Sequence, residues 1–581
     1  MNLRNRALIF GLIILVLSFS VSAAINQDYV IVNSKNWQDV YSSMLYASLE
    51  GKKSSFLLSP SYAGLILNNV PKGSSVLAIS SKAQPYIRGY MSVIESNGYT
   101  GKEMIVENAN FDLAAQLGPE ITKFIIVDDK YGYNAISAAS YASISKSYVI
   151  FANAVNINEV VSFLDSRKVD KLIIFGQVDR AVKDALSTFN PEVINVGDRF
   201  DNNLAIVDKY LAIKDSKQVV MTNGEFIEES IMSGDNPVIF IGKTNVPDSV
   251  REYVKKSGFQ VAVLIGNELV GPATYIKRQL GISVFVKFAQ GARNPAGSIA
   301  SVEDLDKFPM PSYNVAISVS QITYNTATNQ IEVTYQNDQD LAAYLLPTIT
   351  VSADGVDYPP LNTSQDPFFL DSKEQKTVSY DFNFSNGAPN KANASIYVLF
   401  GEAPKSLEFA YQGQQDLSFV NILDDSDIQI NSIVYDKSRK RFDIEVENLK
   451  NVDTYASGEI TNLLVNGEYK NYGSNSVVHI NPLKKATIYV STTDFLDADF
   501  NNNNMINAKV FYGQRERSLL KVVAGEYAFV LAKGQYIIYG LVILLIIIML
   551  LTFILGKKCD KCKASNPPFA KKCRKCGEKL D

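Results

Sequence analysis

Cys559-x2-Cys562-x10-Cys573-x2-Cys576 gathers all four cysteines of a 581-residue chain into its last 23 residues. A Cys-x-x-Cys turn can aim two sulfurs at one ion, and two such turns supply a tetrahedral four-thiolate set. That set suits Zn2+. Four filled positions leave no open site, so the ion is structural and substitutes for a core that so short a tail cannot form. Neighbouring lysines help to hold thiolates. An iron centre or a redox dithiol pair is the alternative. The chain has one histidine, His479, so no histidine-based metal cluster competes. Any Ser-His-Asp triad would need His479 as its base.

Carboxylates come next. Asp128 and Asp129 follow the apolar run Phe124–Val127, and ligands of open α/β sheets bind at strand carboxyl ends. They are candidate ligand-binding residues, as are Asp198 and Arg199 in Val196-Gly-Asp-Arg-Phe200. Arg199 suits an anionic ligand, and a salt bridge to Asp198 or Asp201 is its structural alternative. A glycosidase would need two carboxyls at a set separation, and solvated strand-end acids are commoner than catalytic ones. Gly242-Lys243-Thr244 is no phosphate loop, because Pro237 stands where the first glycine is required. No Gly-x-Gly-x-x-Gly follows a first strand, and Gly-x-Ser-x-Gly is absent. Asn362, Asn383 and Asn393 head three glycosylation sequons.

These residues need elements to position them. Tyr536 to Leu555 is a 20-residue uncharged apolar run, long enough for a helix to cross about 30 Å of hydrocarbon. Eight Lys and one Arg against three acids follow over 557–581, a net charge of +6, which the positive-inside rule places in the cytoplasm. Arg4 and Arg6, the apolar stretch Ala7 to Leu17 and the small residues Ser22-Ala23-Ala24 read as a secretory signal peptide over 1–24. An uncleaved N-terminal anchor is the alternative. The expectation is a single-pass plasma-membrane protein with its N-terminus outside. Its exported region carries about −12 of the chain's −4 total, once the tail's +6 and the signal's +2 are removed. An acidic exported region argues against nucleic acid as its partner.

Between 25 and 292 the chain repeats. Tyr29–Ser34, Phe124–Asp129 and Val219–Gly224 read as buried strands at intervals of 95 residues. Helical stretches at Trp37–Glu50, Tyr133–Ser145 and Phe226–Met232 follow them. Second strands come at Ser55–Leu58, Tyr148–Phe151 and Pro237–Ile241, and third strands at Ser75–Ile79, Lys171–Phe175 and Val261–Ile265. Asp248 is placed to cap a helix over Ser249–Ser257. Short apolar runs alternating with helices predict parallel α/β units, spanning about 25–118, 119–213 and 214–292. The junction Gly197-Asp198-Arg199-Phe200 and the run Ile239–Pro247 resemble the cell wall-binding repeat type 2 family. That resemblance implies a three-unit head that binds envelope polymers or builds a surface coat.

A linker over 293–312, rich in Pro and Gly, precedes a change to alternating strands. Ile322 and Ile433, Tyr324 and Tyr435, and Asn337 and Asn448 are each 111 apart. Two all-β modules, 313–413 and 414–533, of immunoglobulin-like type are expected. The tail over 558–580 resembles the short zinc ribbons found at protein termini, and on an exported anchor it suggests an archaeal source. The tail's basic surface could bind RNA, a cytoplasmic protein or anionic lipid, with lipid contact as the default. The fold class is therefore a three-repeat α/β head with parallel sheets, two β sandwiches, one transmembrane helix and a zinc ribbon. The leading function is a non-enzymatic surface protein whose head contacts an envelope polymer or surface-layer protein. The rivals are a receptor for a soluble ligand, with the ribbon recruiting a partner, and a carboxylate-dependent carbohydrate enzyme.

Overall fold

The structure, a computed structural model, describes residues 28–287, 306–361, 366–385, 387–389, 391–531, 544, 547–548 and 556–580. The expected signal peptide, most of the linker, Asn362 and nearly all of 536–555 lie outside them.

The head is mixed α/β, with three four-stranded parallel sheets of one topology. In the first unit β1 (Tyr29–Asn33) is followed by α1 (Trp37–Leu49), β2 (Lys53–Phe56), β3 (Ser75–Ser81), α2 (Tyr90–Ser96), β4 (Thr100–Val106) and α3 (Ala109–Ala114). The second has β5 (Lys123–Val127), α4 (Tyr133–Ser145), β6 (Ser147–Phe151), α5 (Ile157–Asp165), β7 (Lys171–Phe175), α6 (Arg180–Leu186), β8 (Glu192–Ile194) and α7 (Arg199–Leu211). The third has β9 (Gln218–Thr222), β10 (Phe226–Ile227), α8 (Glu229–Met232), β11 (Val238–Phe240), α9 (Asp248–Ser257), β12 (Val261–Ile265), α10 (Val270–Gln279) and β13 (Ser283–Lys287). The strand orders are β2-β1-β3-β4, β6-β5-β7-β8 and β11-β9-β12-β13.

Each central strand is an apolar run because both its faces are covered. Val30 and Val32 face a core shared with units two and three, whereas Tyr29 and Ile31 face a separate cluster with Tyr62 and Tyr90. The shared core is close-packed because its helices carry small residues. Ala135, Ala138, Ala139 and Ala142 of α4 are all buried. Tyr41 of α1 donates to the Ala135 carbonyl at 2.8 Å, Ser48 meets Ser143 at 2.6 Å, and Ser140 donates to the Asn236 carbonyl at 2.5 Å. Thus α4 touches both neighbouring units.

A recurring asparagine joins successive units. Asn110 of α3 donates to Ser42 at 3.0 Å and to the Val149 carbonyl at 2.8 Å, and accepts from the Phe151 N–H at 3.1 Å. Asn203 of α7 repeats this with Ser137, the Val238 carbonyl and the Phe240 N–H, at 2.8, 3.0 and 2.8 Å. Both amides satisfy the open side of an edge strand, β6 or β11, whose unpaired backbone groups would otherwise be buried.

Three local expectations change. Phe226–Met232 is not one helix: β10 pairs antiparallel with β14 (Phe308–Pro309), and Glu228 caps the short α8 by accepting from the Ser230 N–H. Asp248 lies inside α9, with Pro247 at the cap position. Each sheet also has a fourth strand, β4, β8 or β13, beyond the three expected; β4 and β8 are mixed in polarity, whereas β13 carries an apolar run over 284–286.

Part of the expected linker is built into the head. Phe308 is buried edge-to-face against Phe56 of unit one, with centroids 5.7 Å apart, while β14 pairs with unit three. The Gly132 N–H of unit two donates to the Pro311 carbonyl at 3.4 Å. The segment 308–313 therefore touches all three units.

Both all-β modules are two-sheet sandwiches. In the first, Ile317–Asn325 pairs antiparallel with Gln330–Asn337 and parallel with Ser418–Val420. In the second, Ile428–Asp436 pairs the same way with Arg441–Asn448 and Phe529–Leu531. The register shift at Val319/Gln321 recurs at Ile430/Ser432. Asn337 and Asn448 each close the same turn, donating to the Leu341 and Val452 carbonyls at 2.8 and 2.7 Å.

The expected transmembrane helix, and with it single-pass plasma-membrane localisation, is corrected. Among the described residues no helix is long and apolar enough to cross a membrane. The longest, α1, α4 and α7, have 13 residues each, about 20 Å of rise against roughly 30 Å of hydrocarbon.

Candidate functional site

The tail folds around its cysteines. Lys557–Lys558 pairs with Ser565–Asn566, and the two knuckles make the same turn. The Lys563 N–H donates to the Cys559 carbonyl at 2.8 Å, and the Gly577 N–H to the Cys573 carbonyl at 2.9 Å. Lys563 and Gly577 both take positive φ, 56° and 72°, a conformation glycine adopts without steric cost. All four Sγ atoms lie within 4.8 Å of one another, with Cys559–Cys576 and Cys562–Cys573 at 3.5 Å. Four Zn–S bonds of about 2.3 Å define a tetrahedron with edges near 3.8 Å, so the donor set fits a tetrahedral metal ion. Burial works against ionising Cys573, but the N–H groups of Cys576 and Lys575, with the Cys562 and Asn566 side chains, outweigh it and lower the thiol to about 6.

Asn566 was not legible as part of this site. It is buried, places Nδ2 3.6 Å from the Cys573 Sγ, and accepts from the Arg574 N–H at 2.9 Å. It thus orients the second knuckle. Its polar type between the knuckles was the available signal.

At the carboxyl end of β5, Asp128 is pushed up to about 6, first by burial and then by the charge of Asp129. Asp129 accepts from Asn153 Nδ2 at 2.6 Å, and Asp179 accepts from the Ala154 N–H at 2.9 Å. Asp128 stands where the other units carry Asn33 and Asn223, each 95 residues away. Asn33 is fully used: it accepts from the Tyr86 and Ile87 N–H groups at 2.9 and 3.1 Å and donates to Ser80 at 2.9 Å. An ionised aspartate cannot donate in that way. The arrangement can hold a proton on Asp128 near neutrality.

Asp198 and Arg199 lie apart from these acids. Asp198 caps α7, accepting from the Phe200 and Asp201 N–H groups at 2.8 and 3.1 Å, and accepts from Ser406 at 2.5 Å. Arg199 is enclosed by the rings of Tyr133, Phe200 and Tyr313, 4.3, 4.7 and 4.8 Å away. It pairs with Glu408 and, at 3.3 Å, with Glu402 of the first β module. Its side chain is 9 % exposed. Burial, countered by Arg199 and reinforced by the charges of Glu408 and Asp198, pushes Glu402 up to about 8. Glu408 is raised for the same first reason. These distant glutamates carried no signal beside Arg199 in the chain.

The remaining candidates are dispersed. Asn383 is exposed, while Asn393 lies in a strand with a buried, unpartnered Oδ1. His479 is on the surface, 2.9 Å from Asp453, with its ring tilted by 36° against that of Tyr455.

No family model matches the chain, and no curated protein matches it. Among solved structures it is similar to Cwp8 from Clostridium difficile, at 16% identity and a TM-score of 0.36 over 45% of this chain. It spans 48% of that protein, about half its length. It is also similar to the YadV chaperone (16% identity, TM-score 0.14, 37% of this chain and 100% of that one) and to the periplasmic chaperone SfaE (14%, 0.15, 38% and 100%). Likenesses this distant carry no functional argument.

Proposed function

We propose that this is a non-enzymatic envelope protein whose three-unit head binds a cell-envelope polymer or a surface-layer protein. The observation that supports this most is the repetition itself. Three units of one strand order, joined by equivalent asparagines and sharing one core, present like surfaces several times. A repeating polymer is recognised well by such multivalent display. The Gly197–Phe200 junction, with its resemblance to cell wall-binding repeats, sits at the second of those joints. The β modules are not assigned a ligand.

The tail holds one structural Zn2+ on Cys559, Cys562, Cys573 and Cys576. The ion supplies cross-linking rather than catalysis, since all four positions are filled by thiolates. Lys563 and Gly577 shape the two turns, and Asn566 steadies the second.

Incubation of the full-length protein with isolated envelope polymer, followed by sedimentation, tests the binding. Saturable co-sedimentation competed by soluble polymer is expected; a protein that stays in the supernatant overturns the reading. Sugar release that disappears in Asp128→Asn would instead favour the carbohydrate-enzyme alternative.

A further inference from the structure

The tail carries more positive charge than its own fold uses. Nine cationic side chains stand against three acids over 557–581. Among the described residues only Lys561 has an ion-pair partner there, Glu578 at 3.1 Å. Lys558, Lys563, Lys571, Lys572, Arg574 and Lys575 are all exposed. A divalent ion with four thiolates contributes −2, which leaves the balance positive.

One apolar group interrupts this surface. Phe569 is 91 % exposed. It is held at the corner of a turn that the Ala570 N–H closes onto the Pro567 carbonyl at 3.0 Å. Pro568 precedes it in that turn, and a proline there pre-sets the backbone. The ring is therefore presented by a rigid support, two residues from Lys571. An aromatic ring amid cations is the pattern that stacks a base while the cations follow phosphates. A lipid surface fits less well, because Phe569 is the one large apolar side chain exposed among the described tail residues, and interfacial anchoring draws on a broad apolar face.

We propose that the four-cysteine tail binds single-stranded nucleic acid, with Phe569 stacked on a base and Lys571, Lys572, Arg574 and Lys575 along the backbone. The inference is independent of what the head binds.

Fluorescence anisotropy of the full-length, metal-loaded protein with a labelled uridine 20-mer tests it, with a thymidine 20-mer separating RNA from DNA. Affinity is expected to fall with salt, with a log–log slope of about −0.7 for each phosphate contacted. Phe569→Ala, which removes no buried contact, is expected to weaken binding roughly 5- to 100-fold. Lys571→Glu with Lys572→Glu should flatten the salt slope. The proposal is overturned if Phe569→Ala binds as wild type. It is equally overturned if heparin, phosphatidylserine vesicles or polyglutamate compete as strongly as unlabelled oligonucleotide. Metal content at one ion per chain in each variant shows that the tail is still folded.

Discussion

Two carboxyls set the pH behaviour at the residue scale. Glu402 has a folded pKa of about 8, above the ordinary 4.5. The native site therefore holds a proton that the unfolded chain releases above about pH 4.5, and stability falls as pH rises from there through 8. Glu402→Gln should reduce that slope, leaving the part that Glu408 contributes, and melt above wild type at pH 8, as read by calorimetry across pH 5–9. Asp128 has the same sign in a lower window, between its usual 3.8 and about 6. Asp128→Asn restores the residue type that units one and three carry. It is expected to stabilise the protein at pH 7 by on the order of 1 kcal/mol, allowing for partial exposure. A denaturant midpoint unchanged or lowered at pH 7 contradicts this.

Elements in this protein are joined by a few polar side chains whose loss is costly. Asn110→Ala leaves the Val149 carbonyl and the Phe151 N–H of an edge strand without partners in a buried setting. A loss of about 2–3 kcal/mol is expected in equilibrium denaturation, and Asn203→Ala should cost a similar amount. In the tail, chelation should expose all four thiols to a thiol reagent, because the knuckles have almost no core beyond Cys559, Cys573 and Leu580. Lys563→Gly should slow that release, since it relieves a positive φ. Central strands such as Phe124–Val127 were legible because burial on both faces makes an uninterrupted apolar run. Strand β8 was not, because two of its three residues are exposed. The partner of β10 was not legible either, because it lies some eighty residues onward and pairing at that range leaves no local pattern. The Cys-x-x-Cys spacing was legible because a metal constrains separation in sequence as well as in space. The acids around Arg199 belong to a different module, which no spacing could announce.

At the scale of the whole head, one continuous core runs from Val30 to Met310. The three units should melt in a single transition rather than stepwise, in contrast to an array with contacts only between neighbours. Phe308→Ala tests this closure: it removes a buried ring packed against unit one from a strand paired with unit three, and a loss of about 3 kcal/mol is expected. The contribution of residues 308–313 corrects the picture of a passive tether, as the absence of a long apolar helix among the described residues corrects that of a membrane-spanning stem.

The enclosure of Arg199 bears on how a load would travel. A pull applied through the first β module does not reach the head along a slack peptide. It meets a guanidinium braced by Glu402, Glu408 and three aromatic rings, with Tyr313 packed 4.9 Å from Tyr133. The joint acts as a rivet, so tension arriving there is shared across α7 and the central helix α4 before any linker is stretched.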